Sequence, residues 1–252
     1  MPTESCAICG GSGWVIAEKD GFSGAQRCEC AARQYAAERE DRAGIPPQFQ
    51  NASLDNFKLP ADNPVARNAL SSVYIEIRRF AKEFPLTSKP GLLLVGGTGI
   101  GKTHLAVAAL KILMSRGFEG VFFDYQTLLE KIQRSWGDSG GASDKGAYKQ
   151  ALDTEILLLD DLGARRSLDW VEDTVTAIIT HRYNHKKSLI ATTNLPDPAL
   201  GDSLIVKNDL PGSPRTMRSL ADVIGERSRS RLFEMCRVVR MPAVEDYRLK
   251  QR

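Results

Sequence analysis

Apolar positions along this chain follow two periods. Short uncharged runs recur: Leu92-Leu-Leu-Val95, Val121-Phe-Phe123, Ile156-Leu-Leu-Leu159 and Leu189-Ile-Ala191. Each is too short for a helix and is bounded by glycine or polar residues, as a fully buried strand should be. Between them lie stretches of helical period, with Leu105, Ala108, Ala109, Ile112 and Leu113 on one face and further helices expected over residues 126–136 and 168–185. Pro64, just after Asp62-Asn63, opens another helix running to about Phe84. A final strand is expected at Arg237-Val-Val-Arg240-Met241. Strands that alternate with helices predict an α/β fold, a parallel sheet flanked by helices on both faces.

The first residues break this pattern. Cys6-Ala-Ile-Cys9 and Cys28-Glu-Cys30 form two close pairs in a polar, glycine-rich segment, and Cys236 is the fifth cysteine, set apart. The spacing suits a four-thiolate Zn²⁺ site with Cys6, Cys9, Cys28 and Cys30 as ligands; redox or free thiols are the competing reading. Cys236 is expected to be a small buried hydrophobe. An Ala-, Glu- and Arg-rich segment from Ala31 to Arg42 predicts an exposed helix, broken by Gly44-Ile-Pro-Pro47. The expected division is therefore a zinc-binding head and linker helix over 1–43 and a main domain over 44–252.

The strongest chemical signal follows the run at Leu92. Gly96-Gly97-Thr98-Gly99-Ile100-Gly101-Lys102-Thr103 fits G-x-x-x-x-G-K-[ST], with a strand before it and a helix after it. Glycines at 96, 97, 99 and 101 allow backbone N–H groups to turn inward around a polyphosphate, and the helix N-terminus faces the anion. Lys102 is placed to reach the β- and γ-phosphates, and Thr103 offers a hydroxyl to Mg²⁺. The run at Ile156 ends in Asp160-Asp161, which puts carboxylates at the sheet edge where open α/β folds bind ligands. Asp160 is expected in the Mg²⁺ shell and Asp161 beside the attacking water. Asn194 closes the next strand and could reach the γ-phosphate or that water. Residues 49–57 are either a cover over the nucleotide base or an ordinary connector. His181 and His185 stand at i, i+4 without a third ligand, so exposed helix histidines are expected.

Composition adds little. With 42% apolar and 26% charged residues and a net charge of +3, the chain is ordinary globular protein, and its overall charge does not by itself argue for nucleic acid. From Arg215 onward, however, ten basic residues face five acidic ones, which suits a solvated basic face, an arginine aimed at a neighbour's phosphate, or nucleic-acid backbone. No apolar run approaches the about 18 residues that a membrane span needs, and Met1-Pro-Thr-Glu-Ser5 lacks a basic leader, so a cytoplasmic protein is expected.

Taken together, GGTGIGKTH, ILLLDDLG, LIATTN, GERSRSRL and a closing EDYR resemble, in order and spacing, the bacterial AAA+ helicase loaders of the DnaC/DnaI type and the similar IstB transposition helpers. The resemblance covers about Ala43 to Arg252. It implies a P-loop AAA+ ATPase using ATP and Mg²⁺, with Asn194 at the first sensor position, Arg231 as the arginine finger and Arg248 as the second sensor. Arg227 and Arg229 are close rivals for the finger. The cysteine head resembles that of some loaders, whereas IstB helpers usually lack one. Asp161 departs from the glutamate usual in AAA+ enzymes at large, so slow hydrolysis is expected. The implied partners are the replicative helicase, single-stranded DNA and other copies of the chain. A transposase helper on duplex DNA and a nucleotide-binding scaffold that scarcely hydrolyses ATP are the alternatives.

Overall fold

The computed structural model describes residues 6–19, 22–137, 142–164, 168–206, 215–244 and 246–247. The chain divides into two compact units, Met1–Ala43 and Gly44–Arg252. In the first, strands β1 (Trp14–Lys19) and β2 (Phe22–Arg27) form an antiparallel hairpin in which Trp14 pairs with Arg27. Helix α1 (Glu29–Arg42) follows. The hairpin, absent from the expectations above, returns the chain so that both cysteine pairs lie at its open end.

The first long helix of the second unit is α2 (Pro64–Glu83), whose N-terminus is capped by the Asn63 side-chain Oδ1 accepting from the Ala66 N–H at 3.0 Å. Capping of this kind satisfies an otherwise orphaned backbone donor. The buried stripe Ala66, Leu70, Val73, Ile77 and Phe80 repeats at helical spacing and turns inward. Then come β3 (Gly91–Val95), α3 (Lys102–Ser115), β4 (Gly120–Asp124), α4 (Tyr125–Ser135), α5 (Ala142–Asp153), β5 (Ile156–Asp160), α6 (Asp169–Asn184) and β6 (Ser188–Thr193). A two-residue pair, β7 (Ile205–Val206) with β8 (Arg215–Thr216), leads to α7 (Leu220–Ile224), α8 (Glu226–Met235) and β9 (Cys236–Arg240).

Five strands form one parallel sheet in the order β4-β5-β6-β3-β9. Strands β3, β5 and β6 are buried at every position, which is why the middle of each is an apolar run with polar residues only at its ends. The edge strand β9 is only partly buried, and Arg237 ties it to α2 through Glu76 at 3.0 Å and Glu83 at 2.7 Å. Cys236 is fully buried, as expected of a small hydrophobe.

Two expectations need correction. The glycine- and serine-rich composition of residues 137–144 suggests a loop through Asp144, but α5 begins at Ala142, and Ala147 and Ala151, one turn apart, pack into the core with Tyr148 and Leu152 against it. Small alanines gave too weak an apolar signal to reveal that face. The histidines are not simply exposed: His181 is half-buried beside Asp153 at 3.5 Å and stacks on His185 with ring centroids 4.1 Å apart.

A buried cation locks the sheet's far edge. Arg182, on α6, is fully buried, and its guanidinium donates to the carbonyls of Ala151 (2.8 Å), Thr154 (2.9 Å), Glu155 (2.9 Å) and Ser188 (3.1 Å). It thus joins α6 to the α5–β5 turn and to the start of β6. Burial pulls its basicity down to about 10 while leaving it charged at neutral pH. Arg182→Met keeps the apolar stem but strands these carbonyls, so a loss of about 3 kcal/mol is expected. Urea unfolding checks it; a variant within about 1 kcal/mol of wild type would show that water satisfies the carbonyls instead.

Candidate functional site

The strand order places three polar strand ends side by side. The C-terminal ends of β5, β6 and β3 are consecutive neighbours, and from them extend Asp160-Asp161, Asn194 and the Gly96–Thr103 loop. Gly101 caps α3 in the left-handed region at φ 89°, and a Cβ there would lie 2.7 Å from the Phe57 ring. Glycine is required at that position on both counts. Gly96 and Gly99 also have positive φ, whereas Gly97, grouped with them in the sequence reading, does not. Its role is different: the Gly97 carbonyl accepts from Lys102 Nζ at 2.6 Å.

Lys102 is 5% exposed, and its ammonium also donates to the Asn194 side-chain oxygen. The Asn194 amide nitrogen in turn reaches Asp161 Oδ1 at 3.5 Å. Asn194 therefore bridges the phosphate-loop lysine and the second carboxylate. Asp161 sits at φ 53°, a conformation uncommon outside glycine but tolerated by aspartate.

Asp160 accepts from Thr103 Oγ1 at 3.0 Å and from Thr192 Oγ1 at 2.6 Å. An octahedral Mg²⁺ with oxygens at about 2.1 Å holds neighbouring oxygens about 3.0 Å apart. The Thr103 and Asp160 oxygens thus fit adjacent positions around one such ion. Burial pushes the Asp160 carboxyl above its usual range, opposed by the Thr192 hydrogen bond and reinforced by the charge of Asp161. A divalent cation would reverse that shift by favouring the carboxylate.

Two residues of this site escaped the sequence reading. Thr192 and Thr193 are fully buried, and their hydroxyls clip the ends of β5 and β6 together: the Asp161 N–H donates to Thr192 Oγ1 at 2.9 Å, and Thr193 Oγ1 donates to the Leu162 carbonyl at 2.8 Å. Paired hydroxyls at the end of an apolar run were the available signal.

On α8 the structure separates the three arginines. Arg229 is held by Asp197, which is fully buried, through two hydrogen bonds of 2.5 and 2.6 Å. That pairing holds the Asp197 carboxyl below its usual range and engages two of the Arg229 donors. Arg231 is half-buried over the Tyr183 ring, and Arg227 is exposed in the first turn. Arg248 lies outside the described residues.

In the head, the sulfurs of Cys6, Cys9, Cys28 and Cys30 all fall within 4.8 Å of one another. Cys6 and Cys28 are 3.8 Å apart and Cys9 and Cys30 are 3.4 Å apart, close to the about 3.8 Å between sulfurs of a tetrahedral zinc site with 2.3 Å bonds. The donor set and spacing therefore fit Zn²⁺. Hydrogen bonds to Cys9 and Cys28 push the Cys30 thiol up to about 12; at Cys9 burial is outweighed by donors that include the Gly13 N–H, and its thiol falls to about 6.

The Asp160 environment yields a test. With its folded pKa raised, its contribution to stability is fully present only below the ordinary carboxylate range and is lost as pH rises through the folded value, so the ionised group weighs against folding at neutral pH. Asp160→Asn should raise Tm at pH 7.5 by about 2–4 °C, shrink that gain near about pH 4, and weaken Mg²⁺-dependent nucleotide binding. A lower Tm at pH 7.5 overturns this account of the site.

Comparison with known proteins agrees with this geometry. Residues 81–206, half of the chain, match the family described as IstB-like ATP binding protein. The replicative helicase loader DnaC of Escherichia coli (strain K12) is 25% identical over 67% of this chain and 70% of its own. A crystal structure of the DnaC helicase loader superposes with a TM-score of 0.61 at 32% identity, covering 78% of this chain and all of that one. A structure of DnaI, at 22% identity and a TM-score of 0.58, shares the fold over 79% of this chain and 95% of its own. Among the described residues no helix is long and apolar enough to cross a membrane. With its phosphate loop, paired carboxylates and bridging asparagine on a five-stranded parallel sheet, the chain belongs to the IstB-like ATP-binding family, as a AAA+ protein of the DnaC/DnaI loader type.

Proposed function

We propose that this protein is an ATP-dependent loader that places the replicative helicase on single-stranded DNA. The observation that carries the ATP-dependent part is the convergence of Lys102, Thr103, Asp160, Asp161 and Asn194 at adjoining strand ends. ATP enters the Gly96–Thr103 loop, its phosphates taking Lys102 from the Gly97 and Asn194 oxygens. Thr103 and Asp160 would hold Mg²⁺, which would neutralise phosphate charge, and Asp161 and Asn194 would order the attacking water. Copies of the chain stack so that Arg231 of one approaches the γ-phosphate held by the next, and Arg248 acts as the second sensor. Hydrolysis, slow because aspartate reaches less far than glutamate, releases the grip on DNA.

The helicase partner is carried over from the DnaC relatives, and the head is its proposed contact. Ile8, Trp14 and Ile16 are 70%, 51% and 82% exposed beside the thiolate cluster, more apolar surface than a free head needs. Cys6, Cys9, Cys28 and Cys30 would hold Zn²⁺, which would supply most of that small unit's stability. Single-strand binding is supported by Trp136, 62% exposed and edge-on to Trp170 at 5.3 Å, since an aromatic face stacks on any base. The IstB-like family match keeps a second reading, a transposase helper on duplex DNA.

The loader reading is tested by capture of purified replicative helicase on the immobilised protein. Capture should need intact Zn²⁺, so that chelation abolishes it, and it should change with ATP. No capture under either nucleotide condition, together with ATP-dependent retention of duplex in preference to single-stranded DNA, would establish the helper instead.

The interface site is tested by mixing variants. Asp161→Asn should bind Mg²⁺-ATP without turnover, because an amide cannot accept the water's proton, and Arg231→Ala should bind ATP without stimulated turnover. Each is inactive alone, but in a mixture some interfaces receive an intact acid from one chain and an intact arginine from the other. Hydrolysis should therefore reappear on mixing and should rise more than linearly with wild-type concentration. A mixture as inactive as its parts, with assembly confirmed by light scattering, would favour a scaffold or move the finger to Arg227.

A further inference from the structure

Of the arginines on α8, Arg229 has its charge and two donors taken by a buried carboxylate, whereas Arg231 rests on a ring. The guanidinium carbon of Arg231 is 6.0 Å from the centroid of Tyr183, on α6. The two helices are fixed against each other higher up by Thr176 and Ser228, whose hydroxyls are 2.7 Å apart with Ser228 fully buried. Tyr183 lies two turns further along α6 on the same face as Thr176. Its own orientation is set by its hydroxyl, which donates to Glu234 Oε1 at 2.8 Å, and its ring packs against the hydrophobic core.

A π-face and a carboxylate hold a guanidinium in different ways. A carboxylate neutralises the charge and occupies N–H donors, as Asp197 does with Arg229. A ring face attracts the cation through its quadrupole yet leaves the in-plane N–H groups directed outward. An arginine that must act on a phosphate belonging to another chain needs that second arrangement, held in place but with charge and donors unspent. The Glu234 carboxylate is engaged by the tyrosine hydroxyl, and that hydrogen bond, followed by burial, raises the Tyr183 pKa, so the phenol stays neutral at physiological pH.

We infer that Tyr183, oriented by Glu234, is a positioning residue that holds the Arg231 guanidinium ready for the nucleotide of a neighbouring copy. The inference rests on the reading of Arg231 as the finger. Tyr183 itself touches no nucleotide, so its loss should lower turnover without altering how ATP binds.

The test compares steady-state hydrolysis by full-length wild type, Tyr183→Leu, Tyr183→Met, Tyr183→Phe and Arg231→Ala at a protein concentration where the wild type is assembled. Tyr183→Leu and Tyr183→Met keep apolar bulk without a π-face and should lower kcat about fivefold, with KM for ATP and the Kd for ATP within about twofold of wild type. Tyr183→Phe keeps the face and should restore kcat to within about twofold. In mixtures with Asp161→Asn, Tyr183→Leu should recover as Arg231→Ala does, because both lesions lie on the arginine's side of the interface. Thermal melting establishes that each variant is folded, and Tyr183→Met replaces Tyr183→Leu if the latter is not.

Full kcat in both folded aliphatic variants while Arg231→Ala is inactive overturns the role of Tyr183 alone. A loss in Tyr183→Phe equal to that in Tyr183→Leu also overturns it, since the hydroxyl and not the face would then matter. Full turnover in Arg231→Ala, or none by the wild type at any concentration, removes the finger reading and this inference with it.

Discussion

A parallel sheet buried on both faces cannot place polar chemistry along its strands, so it places it at their ends. In this chain β3, β5 and β6 are buried throughout, and every polar group of the nucleotide site lies at or just beyond their C-terminal ends. The strand order makes the three ends neighbours although the loop, the carboxylates and the asparagine are far apart in sequence. A shift of one strand would separate Thr103 from Asp160 and Lys102 from Asn194. The pairing register of the sheet is therefore also the geometry of the site.

Devices outside the site keep that register. Arg182 closes the lower end of the sheet by satisfying carbonyls from three segments, Arg237 holds β9 to α2, and Thr192 and Thr193 join β5 to β6 at the upper end. Arg182 and the two threonines place polar groups in poor solvent where hydrogen-bond partners are supplied, the condition under which buried hydrogen bonding specifies one arrangement. Asp160 is the exception, a carboxylate whose burial opposes its charge, an opposition that a divalent cation would offset. Its unfavourable environment and its fitness for metal have one cause.

On α8 the same residue type is used in two ways. Asp197 makes Arg229 part of the scaffold between the β6 exit loop and α8, whereas Tyr183 holds Arg231 without neutralising it. In the head, a hairpin of two short strands brings together four cysteines that the chain separates, and their sulfur spacing matches the needs of one tetrahedral ion. In both units, charged or ligating groups that are distant in sequence are brought close together by the fold.

The sequence by itself determined whatever depends on local period and fixed spacing. Uncharged runs defined the sheet strands, the glycine loop with Lys102 and Thr103 defined an anion site, Asp160-Asp161 marked a strand end, and two cysteine pairs marked off a separate head. Such signals are legible because neighbouring residues supply all their parts. Tertiary structure alone decided which groups meet: that Asn194 bridges Lys102 and Asp161, that Thr192 orients Asp160, and that Asp197 occupies Arg229 and leaves Arg231 to Tyr183. It also revealed α5, whose buried face is largely alanine, and the head's hairpin, too short to show a clear alternation. The reason is physical. An arginine in a run of Arg-Ser-Arg-Ser-Arg has the same local surroundings as its neighbours, and only packing against another helix makes one a strut and another a free cation.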